Sequence, residues 1–241
     1  MPEMPATQCS GHVMAKRGAP SSGESFPLLY GLLRLTTRPI LRGLFGFQIS
    51  GLERLPRDGP FVVAANHHNY LDAVVLGAAV PRKITFLVMP SVYRSTPFHP
   101  AFHRHVGSIP INIERPDPGA IKRALRVLES GGVVGIFPEG PSSLNGRLVG
   151  GKPGVATIAI RSGVPVVPVA IPGTYEALTR STFYIPRPHP LTIRFGEPLS
   201  FARLRREMRL SNAVRQEVTQ RIMTEIAKLL AEGPSVSSTR A

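Results

Sequence analysis

An α/β fold, layered as a largely parallel or mixed central sheet flanked by helices, is what this sequence of 241 residues predicts. Two observations carry the expectation. Short apolar runs recur between Gly- and Pro-rich turns and read as buried strands. Amphipathic stretches of helical period fall between them through short connections, which is the pattern of strand-helix-strand units. In such folds ligands bind beyond the carboxyl ends of the strands.

Taken in order, "FVVAA" (61–65) follows the turn signal "PRDGP", and "ITFLV" (84–88) reads as a second buried strand. "SIPINI" (108–113) alternates weakly and reads as a third. In "PDPGAIKRALRVLESGG" Asp117 is placed as N-cap and Pro118 at the first helical position. Ile121, Leu125 and Leu128 share a face, and Gly131 or Gly132 is the stop. "VVGIF" (133–137) is a further strand, and "PGVATIAIRSG" a short helix ended by Gly163. "VPVVPVAI" (164–171) is expected at a sheet edge or bulge because its two prolines cannot donate to a ladder. "LTIRF" (191–195) closes the sheet. A long amphipathic helix follows, with Val214, Val218, Ile222, Ile226 and Leu229 at helical spacing and Gly233 and Pro234 as its stop.

Ahead of the sheet, residues 26–50 read as interfacial amphipathic helices. "FPLLYGLLRLTTRPILRGLFGF" has the length of a bilayer span but carries Arg34, Arg38 and Arg42 at spacings of four. Three central arginines make spanning costly, so the segment is expected to lie in the interface with its arginines at anionic head groups. Pro39 removes a helical hydrogen bond, which predicts two short helices with a bend, an N-terminal membrane-docking helix pair. The plainer alternative is a pair packed on the protein's own core. Residues 1–25 and 233–241 read as flexible tails, 1–25 lacking the apolar core of a secretory signal. Residues 51–232 form the main domain.

With 29 basic against 15 acidic residues, the formal charge is +14, which calls for an anionic partner such as nucleic acid, acidic lipid or a phosphorylated ligand. The single cysteine, Cys9, rules out an intrachain disulfide and a cysteine metal site. No Gly-x-Ser-x-Gly elbow is present, which argues against a serine hydrolase. The histidines His67, His68, His99, His103 and His105 lack a metal-ligand spacing, so no metal is expected. With aromatics at 7%, no Trp and no recognition-helix pattern, no nucleic acid is expected either.

Two stretches carry chemistry. In "NHHNYLD", His67 in a strand-to-helix loop and Asp72 in the first turn of the next helix can meet. The carboxylate then fixes the imidazole tautomer and leaves the other nitrogen to take a proton from a hydroxyl. A loop histidine held by local hydrogen bonds is the competing reading, and His68 shares it. In "FPEGPSSLNGRLVGGKPG", Glu139, glycines, Ser142, Ser143 and Lys152 describe a loop able to present N–H groups and a cation to an anion, or simply a surface loop.

"NHHNYLD", "GSIPI" from Gly107, "FPEGPSS" and "VPVVPVAIPGT" from Val164 together resemble, in order and spacing, the four sequence blocks of the 1-acylglycerol-3-phosphate acyltransferase family. The resemblance runs from about Leu28 to Phe195 and includes "GLERLPRDGPFVVAANH". It implies an O-acyltransferase on the cytoplasmic face of a membrane, peripheral or monotopic, moving a fatty acyl group to a lysophospholipid hydroxyl. Acyl-CoA or acyl-carrier protein would be co-substrate, with no further cofactor. His67 would deprotonate the hydroxyl, Asp72 would orient it, and Glu139 and Gly140 would shape the acceptor site.

The departures bear on the acceptor. The family's third block reads Phe-Pro-Glu-Gly-Thr-Arg-Ser, with the Arg assigned to the acceptor phosphate; here Pro141 and Ser142 stand in the Thr and Arg places. The second block's Arg place is Ile113, with Arg115 two residues on. Arg115 and Lys152 are expected to supply the missing charge, against the reading of Arg115 as a solvated loop residue. Two alternatives follow: the same fold acting on a different lipid acceptor, or a non-catalytic basic protein binding anionic lipid or nucleic acid.

Overall fold

In the computed structural model, residues 27–90, 103, 107–143, 145–178, 186–207 and 211–232 are described. The expected tails, His99 and His105 lie outside them. Seven strands form one sheet in the order β1-β7-β6-β2-β5-β3-β4. They are β1 (Gln48–Ser50), β2 (Phe61–Ala65), β3 (Ile84–Val88), β4 (Ile109–Pro110), β5 (Val133–Ile136), β6 (Val166–Ala170) and β7 (Thr192–Phe195). Every pairing is parallel except β6 with β7. The helices are α1 (Pro27–Phe45), α2 (Leu71–Ala79), α3 (Pro118–Glu129), α4 (Gly154–Ser162), α5 (Thr174–Ala177), α6 (Ala202–Glu207) and α7 (Asn212–Ala231).

The central strand β2 shows why its sequence is apolar throughout. Phe61, Val63 and Ala65 point into one core with α1 and α2, and Val62 and Ala64 into the other with α3, α4 and α7. Each face is therefore covered by helices, the three-layer arrangement expected. In α7 the stripe Val218, Ile222, Ile226 and Leu229 is buried; each such side chain contributes roughly 1.5–3 kcal/mol relative to exposure. Asp117 caps α3 through Ala120 N–H, and Gly163, at φ 70°, ends α4.

Four expectations are corrected. β6 is not an edge strand: it lies between β7 and β2. Its Pro168 is tolerated because the absent N–H falls on the β7 side, where the ladder is interrupted between Gly196 and Leu199, while its carbonyl still accepts from Gly196 N–H at 2.8 Å. "SIPINI" shortens to the two-residue β4, since beyond it Asn112 turns the chain by accepting from Glu114 and Arg115 N–H. β1, unread in the sequence, lies within residues 26–50 and pairs with β7.

The helix pair is instead one helix running through Pro39. Its lost bond frees the Leu35 carbonyl, and Leu35 is 72% exposed, so water can serve that oxygen. The body holds the other side: Leu41 and Phe45 are buried, and the Tyr30 hydroxyl accepts from Ile84 N–H at 3.4 Å. Arg34 and Arg38 share that inward stripe at i, i+4, i+7 and i+11, so two of the three arginines turn toward the body, and only Arg42 is exposed. The outward face carries Leu32, Leu35, Ile40 and Leu44, between 54% and 72% exposed.

Candidate active site

The loop after β2 is held from three sides. Asn66 exchanges hydrogen bonds with Ile171 beyond β6, donating at 3.4 Å and accepting at 2.7 Å. The Asn69 amide donates to Thr174 and Leu178 carbonyls at 2.7 and 2.8 Å, and its oxygen accepts from Leu71 N–H. His67 is fixed through its backbone by the loop after β5: its N–H donates to Glu139 Oε1 at 2.7 Å and its carbonyl accepts from Ser143 N–H at 2.8 Å.

Within this frame Asp72 reaches back from the first turn of α2. Its Oδ2 lies 2.9 Å from His67 Nδ1 and accepts from His68 and Asn69 N–H at 2.6 and 2.8 Å. The carboxylate is fully buried. Placed there, Oδ2 can hold the Nδ1–H tautomer and leave Nε2 as the uncommitted nitrogen. Phe137 stacks on the imidazole at 4.1 Å between ring centroids, fixing its plane. The His68 ring turns the other way, its Nδ1 3.3 Å from Thr174 Oγ1, so His68 serves the pair through its backbone N–H alone.

Glu139 is buried, and its Oε2 accepts from Val149 N–H at 2.9 Å. Burial raises its pKa above the usual carboxylate range, and the Val149 and His67 N–H groups work against that rise. Both oxygens thus serve backbone, which makes Glu139 a brace between the two loops. Gly140, at φ 85°, is required: a Cβ there would lie 2.9 Å from Lys152 Cε. Lys152 N–H donates to the Pro138 carbonyl and its Nζ to that of Ile113, at 2.8 and 2.9 Å.

A cavity of about 1180 Å³ joins these parts. His67, Gly140, Lys152 and Arg115 line it, as does Arg34, whose Nε donates to the Ala78 carbonyl at 3.4 Å. Ser142 and Ser143 are not among its lining; Ser143 Oγ donates within its own loop, to Arg147 O at 2.8 Å. Toward α1 and α2 the lining turns apolar with Leu33, Tyr70 and Val74, all exposed, so the cavity is continuous with the outward face of α1. Arg38 sits beside this face, its pKa lowered by burial and then by Arg42 and Arg34. No described helix is long and apolar enough to cross a membrane. Sequence reasoning did not find Asn66, Asn69 or Phe137 as supports, although the first two stand inside the motif.

This geometry coincides with a sequence match: the model of a family described as Acyltransferase covers residues 46–172. The chain belongs to that family. Among the relatives of this acyltransferase, the 1-acyl-sn-glycerol-3-phosphate acyltransferase of Bacillus subtilis (strain 168) is 31% identical over 186 residues, spanning 76% of this chain and 88% of the relative. The chloroplastic 1-acyl-sn-glycerol-3-phosphate acyltransferase BAT2 of Brassica napus is 35% identical over 131 residues, 52% of this chain and 37% of that one. In fold, the acyltransferase is similar to the crystal structure of the 1-acyl-sn-glycerophosphate (LPA) acyltransferase PlsC from Thermotoga maritima. The TM-score is 0.68 at 22% identity, over 86% of this chain and 82% of the other.

Proposed function

We propose that this acyltransferase moves a fatty acyl group from a thioester, acyl-CoA or acyl-carrier protein, to the free hydroxyl of a lysophospholipid of the 1-acylglycerol-3-phosphate type. The observation that carries the reading is the His67–Asp72 pair at 2.9 Å, on the wall of a cavity open toward the apolar face of α1. His67 Nε2 takes the proton of the acceptor hydroxyl as its oxygen attacks the thioester carbonyl. Asp72 stabilises the imidazolium so formed. The C–O bond forms, the C–S bond breaks, and the thiolate leaves with the proton that His67 returns. No protein nucleophile and no acyl-enzyme take part.

The acceptor's phosphate is assigned to Lys152 and Arg115. Lys152 lies over Gly140 and is tied to the carbonyl of Ile113, the two positions where the family's second and third blocks converge. An ammonium there replaces the arginine fork with a point charge. Acyl chains reach the cavity from the lipid layer, on which α1 lies with Leu32, Leu35, Ile40 and Leu44 inward to the acyl region. Arg42, exposed beside them, meets anionic head groups.

A second reading, transfer to a lysolipid with another head group, is favoured by Ser142, which occupies the arginine place and does not line the cavity. Labelled acyl-CoA offered with a panel of lysolipids, with and without a terminal phosphate, separates the two. Preferred transfer to the phosphate monoester, abolished in His67→Ala, is expected. Transfer that survives His67→Ala overturns the mechanism, and indifference to the phosphate overturns the acceptor.

A further inference from the structure

Beyond Lys152, Arg115 and Arg34, whose Nε is tied to the Ala78 carbonyl, the cavity wall carries two more cations. Arg161 ends α4 and Arg215 comes from the first turn of α7, and both line the same cavity as His67. Arg161 is seven residues past Gly154 on α4, which puts it about 10 Å further along the helix axis than the Lys152 end. Thr157, between them on α4, lines the cavity too. The ion pairs among the described residues are Arg54–Glu197, His67–Asp72 and Lys228–Glu225, so no carboxylate answers either arginine. Arg215 Nη2 donates only to the neutral Asn212 side chain, itself part of the wall.

Placement separates the two pairs of cations by task. The acceptor's phosphate stands a few bonds from the hydroxyl that His67 deprotonates, so it needs a cation at the loop that braces His67, where Lys152 lies over Gly140. A cation a helix length further on is out of its reach. The donor, in contrast, carries anions at such a remove when it is a coenzyme A thioester, whose pantetheine arm separates the sulfur from a diphosphate and a ribose phosphate. We infer that Arg161 and Arg215 hold the phosphates of the coenzyme A moiety, with the pantetheine arm laid along the Thr157 side of α4 toward His67. Two guanidinium forks in a concave wall fit a compact polyphosphate. A carrier protein's acidic face would need a broad basic surface instead. This site rests on the acyl-transfer reading above and extends it to the donor.

The test uses the full chain in mixed micelles with Arg161→Ala/Arg215→Ala, checked for an unchanged thermal midpoint. The KM for acyl-CoA should rise about tenfold with kcat and the acceptor KM unchanged. Transfer from the acyl-pantetheine thioester, which lacks the nucleotide, should be equal in both proteins. Arg161→Lys/Arg215→Lys should recover part of the loss. By calorimetry, adenosine 3',5'-bisphosphate should bind the wild type and bind the alanine variant more weakly. An unaltered acyl-CoA KM overturns the site and leaves the acyltransferase function standing, and so does an equal loss on both donors. Binding of the bisphosphate that depends on these arginines, in a wild type that transfers from no donor to any lysolipid, would instead sink the proposed reaction and keep the site.

Discussion

Around His67 the backbone N–H and carbonyl, the Nδ1 of the ring and both oxygens of Glu139 all have partners within 3 Å, whereas around Arg161 and Arg215 the guanidinium groups have almost none. The first region is braced by two loops over a fully buried Asp72; in the second, Arg161 is exposed and Arg215 half-buried, and both are attached only at their helices. The contrast separates two demands on one cavity. Proton transfer, the role proposed for His67, tolerates little error in position, and the fold over-determines the groups around it. In the donor site proposed for Arg161 and Arg215, anions are recognised by long side chains that complete their bonds on the ligand.

Substitutions at the braced end should therefore act on kcat or on folding, and those at the open end on KM alone. The largest effect is expected for His67→Ala, a fall in kcat of about 10³–10⁴ with the acceptor KM nearly unchanged; a fall below tenfold would remove His67 from the chemistry. Asp72→Asn should lower kcat by about 10²–10³, since the amide holds the imidazole without stabilising its charged form. Thermal melting should move little, because the remaining oxygen can still accept from His68 and Asn69 N–H.

Glu139→Gln removes one acceptor from the brace and should cost about 1–3 kcal/mol in urea unfolding. Because burial raises the folded pKa of Glu139, the native state binds the proton more tightly than the unfolded one. Its contribution is then fullest below the ordinary carboxylate range and declines as pH rises through the folded pKa. The advantage of wild type over Glu139→Gln should shrink over that window; growth with pH would contradict the burial account.

Lys152→Ala should raise the KM for a phosphorylated acceptor about tenfold and leave that for an unphosphorylated one alone. Unchanged values would place the acceptor phosphate elsewhere. The smallest effect on folding, within about 0.5 kcal/mol, is expected for Leu35→Ser/Leu44→Ser on the outward face of α1, with weaker sedimentation onto anionic liposomes as the readout.

Much of this was legible in the sequence because the cues were local. β2, β3 and β5 follow from apolar runs, and the meeting of His67 with Asp72 follows from a strand end and a helix start five residues apart. What escaped depends on partners far along the chain. β6 looks like an edge strand until β7 arrives from residue 192 with its ladder broken where Pro168 has no donor. β1, three residues long, exists only because β7 accepts it. The direction of the α1 arginines is set by Leu41 and Phe45 entering the core, which no helical spacing alone could decide. Arg161 and Arg215 meet at one wall from α4 and α7 and carry no motif.

The uncharged outer row of α1 bears on how rates should be measured. With the docking proposed for α1, protein and acceptor share a film, and encounters take place in two dimensions. Velocity then follows the mole fraction of lysolipid in that film and not its amount per litre. Adding inert phospholipid at fixed total acceptor should slow the reaction by surface dilution, and adding buffer should not.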